Sequence, residues 1–86
     1  MRITEMINLT ELHSVGLQIY YQKQICAWSA KLIGPLRIKI DDFAPHGLVA
    51  NGNTPDEALD GLVKMIAGRH LESGGYSYDI PADLTG

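Results

Sequence analysis

Apolar and polar residues alternate along the first half of the chain, which is the pattern of strands buried on one face. The alternation predicts three strands, over residues 17–22, 25–33 and 36–40. The connections at Lys23-Gln24 and Gly34-Pro35 are short, and short connections favour antiparallel pairing of consecutive strands. The sequence therefore predicts an antiparallel meander.

A helix is the clearest element of the second half. Thr54 is a good N-cap, Pro55 suits the first helical position, and Glu57 completes a capping box. The apolar stripe of this helix consists of Leu59, Leu62, Val63 and Ile66. We expect the helix to end near residues 71–73, just before two consecutive glycines.

The two ends of the chain carry weaker patterns. Residues 4–15 allow a short N-terminal helix, residues 76–80 alternate as a last short strand, and residues 82–86 are expected to be a mobile tail. With 86 residues, 45 % of them hydrophobic, the chain suits one domain over residues 1–86. The predicted fold class is α+β, a small antiparallel sheet of three to four strands with one main helix on one face, in the order β-β-β-α-β.

Cys26 is the only cysteine, so no intramolecular disulfide can form, and a reducing compartment is favoured. The predicted second strand places Cys26 on the same face as Trp28 and Ala30, so we expect a buried structural thiol. No stretch approaches the roughly 18 apolar residues of a membrane span, and the first ten residues lack the apolar core of a secretion signal. We therefore expect a soluble cytoplasmic protein.

Charge is unevenly distributed along a chain of net charge −3. Residues 1–40 carry five basic and two acidic side chains, whereas residues 41–86 carry two basic and eight acidic ones. A nucleic-acid-binding domain needs a basic footprint, so this balance favours protein partners. An RNA-contacting surface remains a weaker alternative, and its residues would be Tyr20, Lys31, Arg37 and Lys39.

Candidate catalytic residues are few. The tightest polar cluster is Asp41, Asp42 and His46, in which a carboxylate could orient an imidazole for general base work. An acidic turn between two strands is commonplace, however, and no nucleophile or oxyanion element accompanies the cluster. The histidines and the cysteine lack the spacing of a metal site, and no glycine-rich phosphate loop occurs. We expect no catalytic residues, no metal and no cofactor.

The stretch from residue 38 to residue 66 resembles the HicB-like antitoxin family. It has an apolar strand, a loop ending in Gly47, a short strand and then a helix opened by the family's Gly-x-Thr-x-x-Glu-Ala-Leu pattern. The matching residues are Gly52, Asn53, Thr54, Pro55, Asp56, Glu57, Ala58 and Leu59. The chain has His46-Gly47-Leu48 where the family often has Pro-Gly-Cys, and no DNA-binding region follows the helix, so transcriptional autoregulation is not implied.

The resemblance implies a compact β-β-β-α-β domain, related to a degraded RNase H fold, that binds and neutralises a small basic RNase toxin. It also implies a homodimer or higher homo-oligomer. In this interpretation a sheet face or edge and an acidic flank would meet the basic partner. The flank comprises Asp41, Asp42, Asp56 and Asp60, and His46 is also expected to contact the partner. The alternative function is that of a small phage or mobile-element inhibitor that blocks a host nuclease or defence complex.

Overall fold

A computed structural model describes residues 1–9, 15–39, 42–44 and 47–86. The elements in chain order are α1 (Ile3–Leu9), β1 (Gly16–Gln22), β2 (Ala27–Ile33), β3 (Leu36–Lys39), β4 (Asp42–Ala44), β5 (Leu48–Gly52), α2 (Pro55–Ile66), β6 (His70–Ser73) and β7 (Tyr76–Asp79). The predicted α+β class is confirmed, with α2 as the main helix and α1 as the short N-terminal one.

Three strands form the first sheet, in the order β1-β2-β5, and all neighbours are antiparallel. Helix α2 packs on one face of this sheet, mainly over β2 and β5. Ala30 and Leu32 point to that face and are fully buried, and Trp28 is half-buried beside them. The alternation predicted for the second strand is therefore confirmed from residue 28 onward.

The third strand does not continue the predicted meander. Strand β3 belongs to a second antiparallel sheet, with the order β4-β3-β6-β7, and β5 takes the place beside β2. Gly34 and Pro35 redirect the chain between the two sheets, since proline has no N–H for a continuing ladder. The Ser73 hydroxyl of β6 donates to the Pro35 carbonyl over 3.0 Å, which anchors the redirected chain.

Helix α2 begins as predicted and ends earlier than predicted. The Thr54 hydroxyl accepts from the Glu57 N–H at 3.1 Å, and the Glu57 carboxylate accepts from the Asn53 N–H at 2.8 Å. The helix stops at Ile66, and Gly68 follows in a left-handed conformation with φ +73°. Residues 70–73, expected in the helix, form β6 instead.

The β6–β7 hairpin has a two-residue turn of glycines. Gly74 has φ 58° and Gly75 has φ 85°, the positive values that a type I′ turn requires at both central positions. This turn matches the right-handed twist of the flanking strands. It therefore joins β6 and β7 in a tight hairpin soon after α2 ends. The predicted last strand is confirmed over residues 76–79.

The C-terminal tail is fixed against the N-terminus, so the expectation of mobility is wrong. The Ile3 N–H donates to the Thr85 carbonyl at 2.8 Å, and the Thr85 N–H donates to the Met1 carbonyl at 2.9 Å. These bonds form a parallel bridge that gives a partner to one of the otherwise unpaired N–H groups at the start of α1. Ile3 and Met6 of α1 are fully buried, and Leu84 of the tail is buried in the same core.

Candidate protein-binding site

Strand β1 is an open edge of the first sheet. It pairs with β2 along its whole length, from Gly16 opposite Ile33 to Gln22 opposite Ala27, and no strand of the described residues pairs with its other side. Its seven residues include no charged side chain and no proline, and the pairing contains no bulge. Charges, prolines and bulges are the features by which proteins protect edge strands, so β1 is chemically ready to accept another strand.

Large apolar side chains project from this edge. Ile19 is 41 % exposed and Tyr21 is 48 % exposed. Both lie on the face of the sheet that carries α2, because Ile19 is paired with buried Ala30 and Tyr21 with half-buried Trp28. The helix lies mainly over the other two strands, which leaves these side chains of β1 uncovered.

The tip of the β1–β2 hairpin extends the apolar surface. Ile25, in the turn, is 50 % exposed, and the Tyr21 and Trp28 rings meet edge to face with their centroids 5.5 Å apart at 67°. Ile19, Tyr21, Ile25 and Trp28 are called the edge cluster below. Exposed apolar side chains that adjoin one another are typical of protein-binding surfaces.

Cys26 lies at the same tip and is exposed, so the expected burial of this thiol is wrong. The strand begins only at Ala27, and Cys26 belongs to the four-residue turn with a left-handed φ of 50°. Its N–H donates to the Lys23 carbonyl at 3.3 Å, and its thiol lies 3.5 Å from the same oxygen. The second strand therefore begins two residues later in the chain than the sequence pattern predicts.

The opposite face of the first sheet carries a row of hydrogen-bonded polar side chains. Ser29 is fully buried there, and its hydroxyl donates to the Asn51 side chain at 2.7 Å and accepts from the Gln22 amide at 3.0 Å. The Gln22 amide also donates to the Tyr20 hydroxyl at 3.2 Å. This ladder crosses all three strands and links their side chains across the sheet.

The residues of the RNA hypothesis lie in two different sheets. Tyr20 and Lys31 lie on the face of the first sheet that is opposite α2. Arg37 is in the second sheet opposite Glu72, and Lys39 is there opposite Asp42, with the Lys39 side chain outside the described part. The structure thus does not gather these four positions on one strand pair.

Two of the five expected partner-contacting residues share an exposed face. Asp56 and Asp60 are exposed one turn apart on α2. Asp41 and His46 lie outside the described residues, and Asp42 begins β4 with its side chain also outside them. Asp56 sits in the first helical turn, where the helix dipole favours a negative charge.

A histidine between two carboxylates, which sequence reasoning missed, lies on the β6–β7 hairpin. His70 Nδ1 is 2.7 Å from Asp79 Oδ1, and His70 Nε2 is 3.3 Å from Glu72 Oε1. The hydrogen bond with Asp79 is the main cause that raises the pKa of His70 above 6.5. Desolvation is the second-largest effect and lowers this pKa, and the weaker bond with Glu72 raises it. Recognition of the Gly74-Gly75 turn would have revealed the pair, because the hairpin register sets residue 70 opposite residue 79.

An open cleft of about 400 Å³ lies beside the same hairpin, between its turn and the start of β3. Its lining comprises Pro35, Arg37, Glu72, Ser73, Gly74, Gly75, Tyr76 and Ser77. Among the described residues, no group of three or more His, Cys, Asp or Glu side chains is arranged to hold a metal ion. No helix within those residues is long and apolar enough to span a membrane.

Comparison with known proteins gave no match for this chain among protein-family models, curated proteins or solved structures.

Proposed function

We propose that the chain is a non-enzymatic protein-binding module that inhibits a partner protein by direct contact. The observation that carries this proposal is the outer side of β1, which pairs with no other strand of the described residues and carries the exposed side chains of Ile19 and Tyr21. A partner segment that adds as a strand to such an edge gains main-chain hydrogen bonds, and alternate side chains provide specificity. Burial of Ile19 and Tyr21 adds hydrophobic free energy to the contact.

We further propose that the partner is a small basic RNase, neutralised as in the HicB-like antitoxins that the chain resembles. The acidic side chains of Asp56 and Asp60, exposed on α2, support this choice because opposite charge speeds encounter with a basic protein. The proposed site of action is the cytoplasm, whose reducing conditions suit the exposed free thiol of Cys26.

The motif behind the resemblance has a clear structural role in joining β5 to α2. A Cβ atom at Gly52 would lie 2.6 Å from the Ala58 nitrogen, so the strand approaches the helix start closely only with glycine there. Thr54 caps the helix, and Ala58 is fully buried. The motif thus sets the close approach of β5 to the start of α2, whereas the binding residues that we propose are on β1.

The test starts from the immobilised chain and lysate of its native host, with bound proteins identified by mass spectrometry. The recovered protein is then purified, and its RNA cleavage is measured against increasing amounts of the chain. The key variant is Tyr21→Lys on the open edge. The matched control is Val49→Lys, because Val49 is 46 % exposed on β5, at the other edge of the same sheet.

We expect recovery of a small basic protein whose RNA cleavage is inhibited by the wild type and by Val49→Lys. Tyr21→Lys should weaken inhibition by about tenfold or more, as loss of an aromatic binding residue commonly does, while keeping a normal melting transition. Equal inhibition by Tyr21→Lys and the wild type would exclude the β1 edge. Recovery of a large nuclease or defence complex, or of no partner, would overturn the RNase proposal.

A further inference from the structure

We infer that the β1 edge of the free protein pairs with the β1 edge of a second copy, and that this pairing excludes the inhibited partner. The inference rests on the proposed function in that both use the same edge, and it adds a regulation of that site. One side of a strand can hydrogen-bond to only one neighbouring strand. Self-association would therefore keep the edge covered until the partner displaces the second copy.

The sequence of β1 is suited to antiparallel pairing with itself about Ile19. In that register Ile19 faces Ile19 of the second copy, Leu17 faces Tyr21, and Gln18 faces Tyr20. Apolar side chains thus meet apolar ones on the face that carries α2, and polar or amphipathic ones meet on the opposite face. Cross-strand pairs of aromatic and aliphatic side chains stabilise a sheet, and a two-fold axis at Ile19 supplies two Leu17–Tyr21 pairs.

The absence of charged side chains makes β1 better suited to pairing with its own copy than the other described edge strands are. Two identical strands normally bring like charges close together, and β1 has none over Gly16–Gln22. In the second sheet, edge strand β7 carries Asp79 and edge strand β4 has three residues and begins with Asp42. Strand β5 is also uncharged but has only five residues, and its apolar face lies under α2.

The size of the contact makes this dimer weak and reversible. Stable interfaces bury about 800 Å² on each partner, and a contact limited to one seven-residue strand and its neighbouring side chains covers less. We expect dissociation constants on the order of micromolar or weaker. A dimer with such a dissociation constant is displaced through mass action by a partner that binds more tightly, as the proposed regulation requires.

The test is sedimentation equilibrium of the purified chain with a pair of charge variants, Ile19→Lys and Ile19→Glu. Each variant places like charges opposite one another at the two-fold axis, so each should raise the dimer dissociation constant by about tenfold or more. A mixture of the two variants should restore association, because Lys then faces Glu. Val49→Lys is the control and should dimerise as the wild type does.

The outcomes separate this inference from the proposed function. A wild type that stays monomeric at about millimolar concentration, or a mixture of charge variants that stays monomeric, overturns the β1–β1 pairing whatever the partner does. Partner binding is then measured at increasing concentrations of the chain. Competition between dimer and partner supports the inference, simultaneous occupation by both overturns it, and failure of every RNase to bind overturns only the proposed function.

Discussion

Two neighbouring carboxylates determine the protonation of the exposed side chain of His70. Both of its ring nitrogens face a carboxylate, Asp79 across the hairpin and Glu72 two residues along its own strand. This geometry favours the doubly protonated ring, which donates through both nitrogens. The raised pKa of His70 follows from the two hydrogen bonds, with Asp79 as the larger contributor.

We predict that the stability of the protein depends on pH through His70. Because the folded-state pKa lies above the unfolded value of 6.5, the stabilisation is fully present below that value and is lost as the pH rises through the raised pKa. His70→Gln should therefore lower the melting temperature more at about pH 6 than at about pH 8.5. An equal loss at both pH values would contradict the prediction.

The cause of the shift is tested separately by NMR titration of His70. Asp79→Asn should lower the pKa of His70 more than Glu72→Gln does, because the bond with Asp79 contributes most. If Glu72→Gln has the larger effect, the assignment of the principal partner is wrong.

Elements were predictable from sequence where their signals are local. The cap at Thr54 and the alternation of Trp28, Ala30 and Leu32 each depend on neighbouring residues, and both are confirmed. The predicted helix end is wrong because Leu71 continues the apolar spacing, although Gly68 already provides a left-handed stop. Within the predicted apolar stripe, Leu59 is only half-buried, and Ala58 takes a fully buried position.

In the candidate site, too, features with a local sequence signal could be predicted and features that depend on tertiary packing could not. Exposure of Ile19 and Tyr21 depends on where α2 lies across the sheet, which no pattern within residues 16–22 reveals. The lack of charge in that segment was visible in the sequence and indicates an unprotected edge only once β1 is known to be outermost. The acidic residues, by contrast, were visible at once, and Asp56 and Asp60 lie together because they are one helical turn apart.

We predict that the β5–α2 joint tolerates no side chain at residue 52. Gly52→Ala places a Cβ atom 2.7 Å from Glu57 Cβ and 2.6 Å from the Ala58 nitrogen, and relief of this overlap should cost about 1–3 kcal/mol. Gly16→Ala is the matched control, because its Cβ would meet only Ile33 Cδ1 at 3.8 Å. Denaturant unfolding should separate the two variants, and similar free energies of unfolding would refute the close packing at this joint.

At the scale of the whole molecule, pairing between distant segments decides the arrangement. Strand β2 pairs with β5 and strand β3 pairs with β6, so the consecutive strands β2 and β3 do not pair with each other. The change of direction at Gly34-Pro35 was recognisable, but the identity of the distant partners was not, because hydrogen-bond pairing leaves no local signal. The predicted mobility of the tail is wrong for the same reason, since the hydrogen-bond partners of the tail are the distant residues Met1 and Ile3.

We predict that the tail contributes substantially to stability. Leu84 is only 6 % exposed, so Leu84→Ala should reduce the free energy of unfolding by about 2–3 kcal/mol. Asp83→Ala, at the exposed neighbouring position, should change it by less than about 0.5 kcal/mol. Thermal or denaturant unfolding checks the pair, and a neutral Leu84→Ala would mean that the tail is not part of the folded core.

The bridge between Arg2 and Thr85 means that α1 can reach its final packing only after the tail has been synthesised. The contact of Thr85 with Met1 spans 84 positions, so α1 leaves the ribosome long before the residues that hold it. Ile3 and Met6 must remain without their final cover until then, and closure of so long a loop is entropically costly. The nascent chain thus presents the apolar side chains of α1 to chaperones and proteases until residues 84 and 85 have left the ribosome.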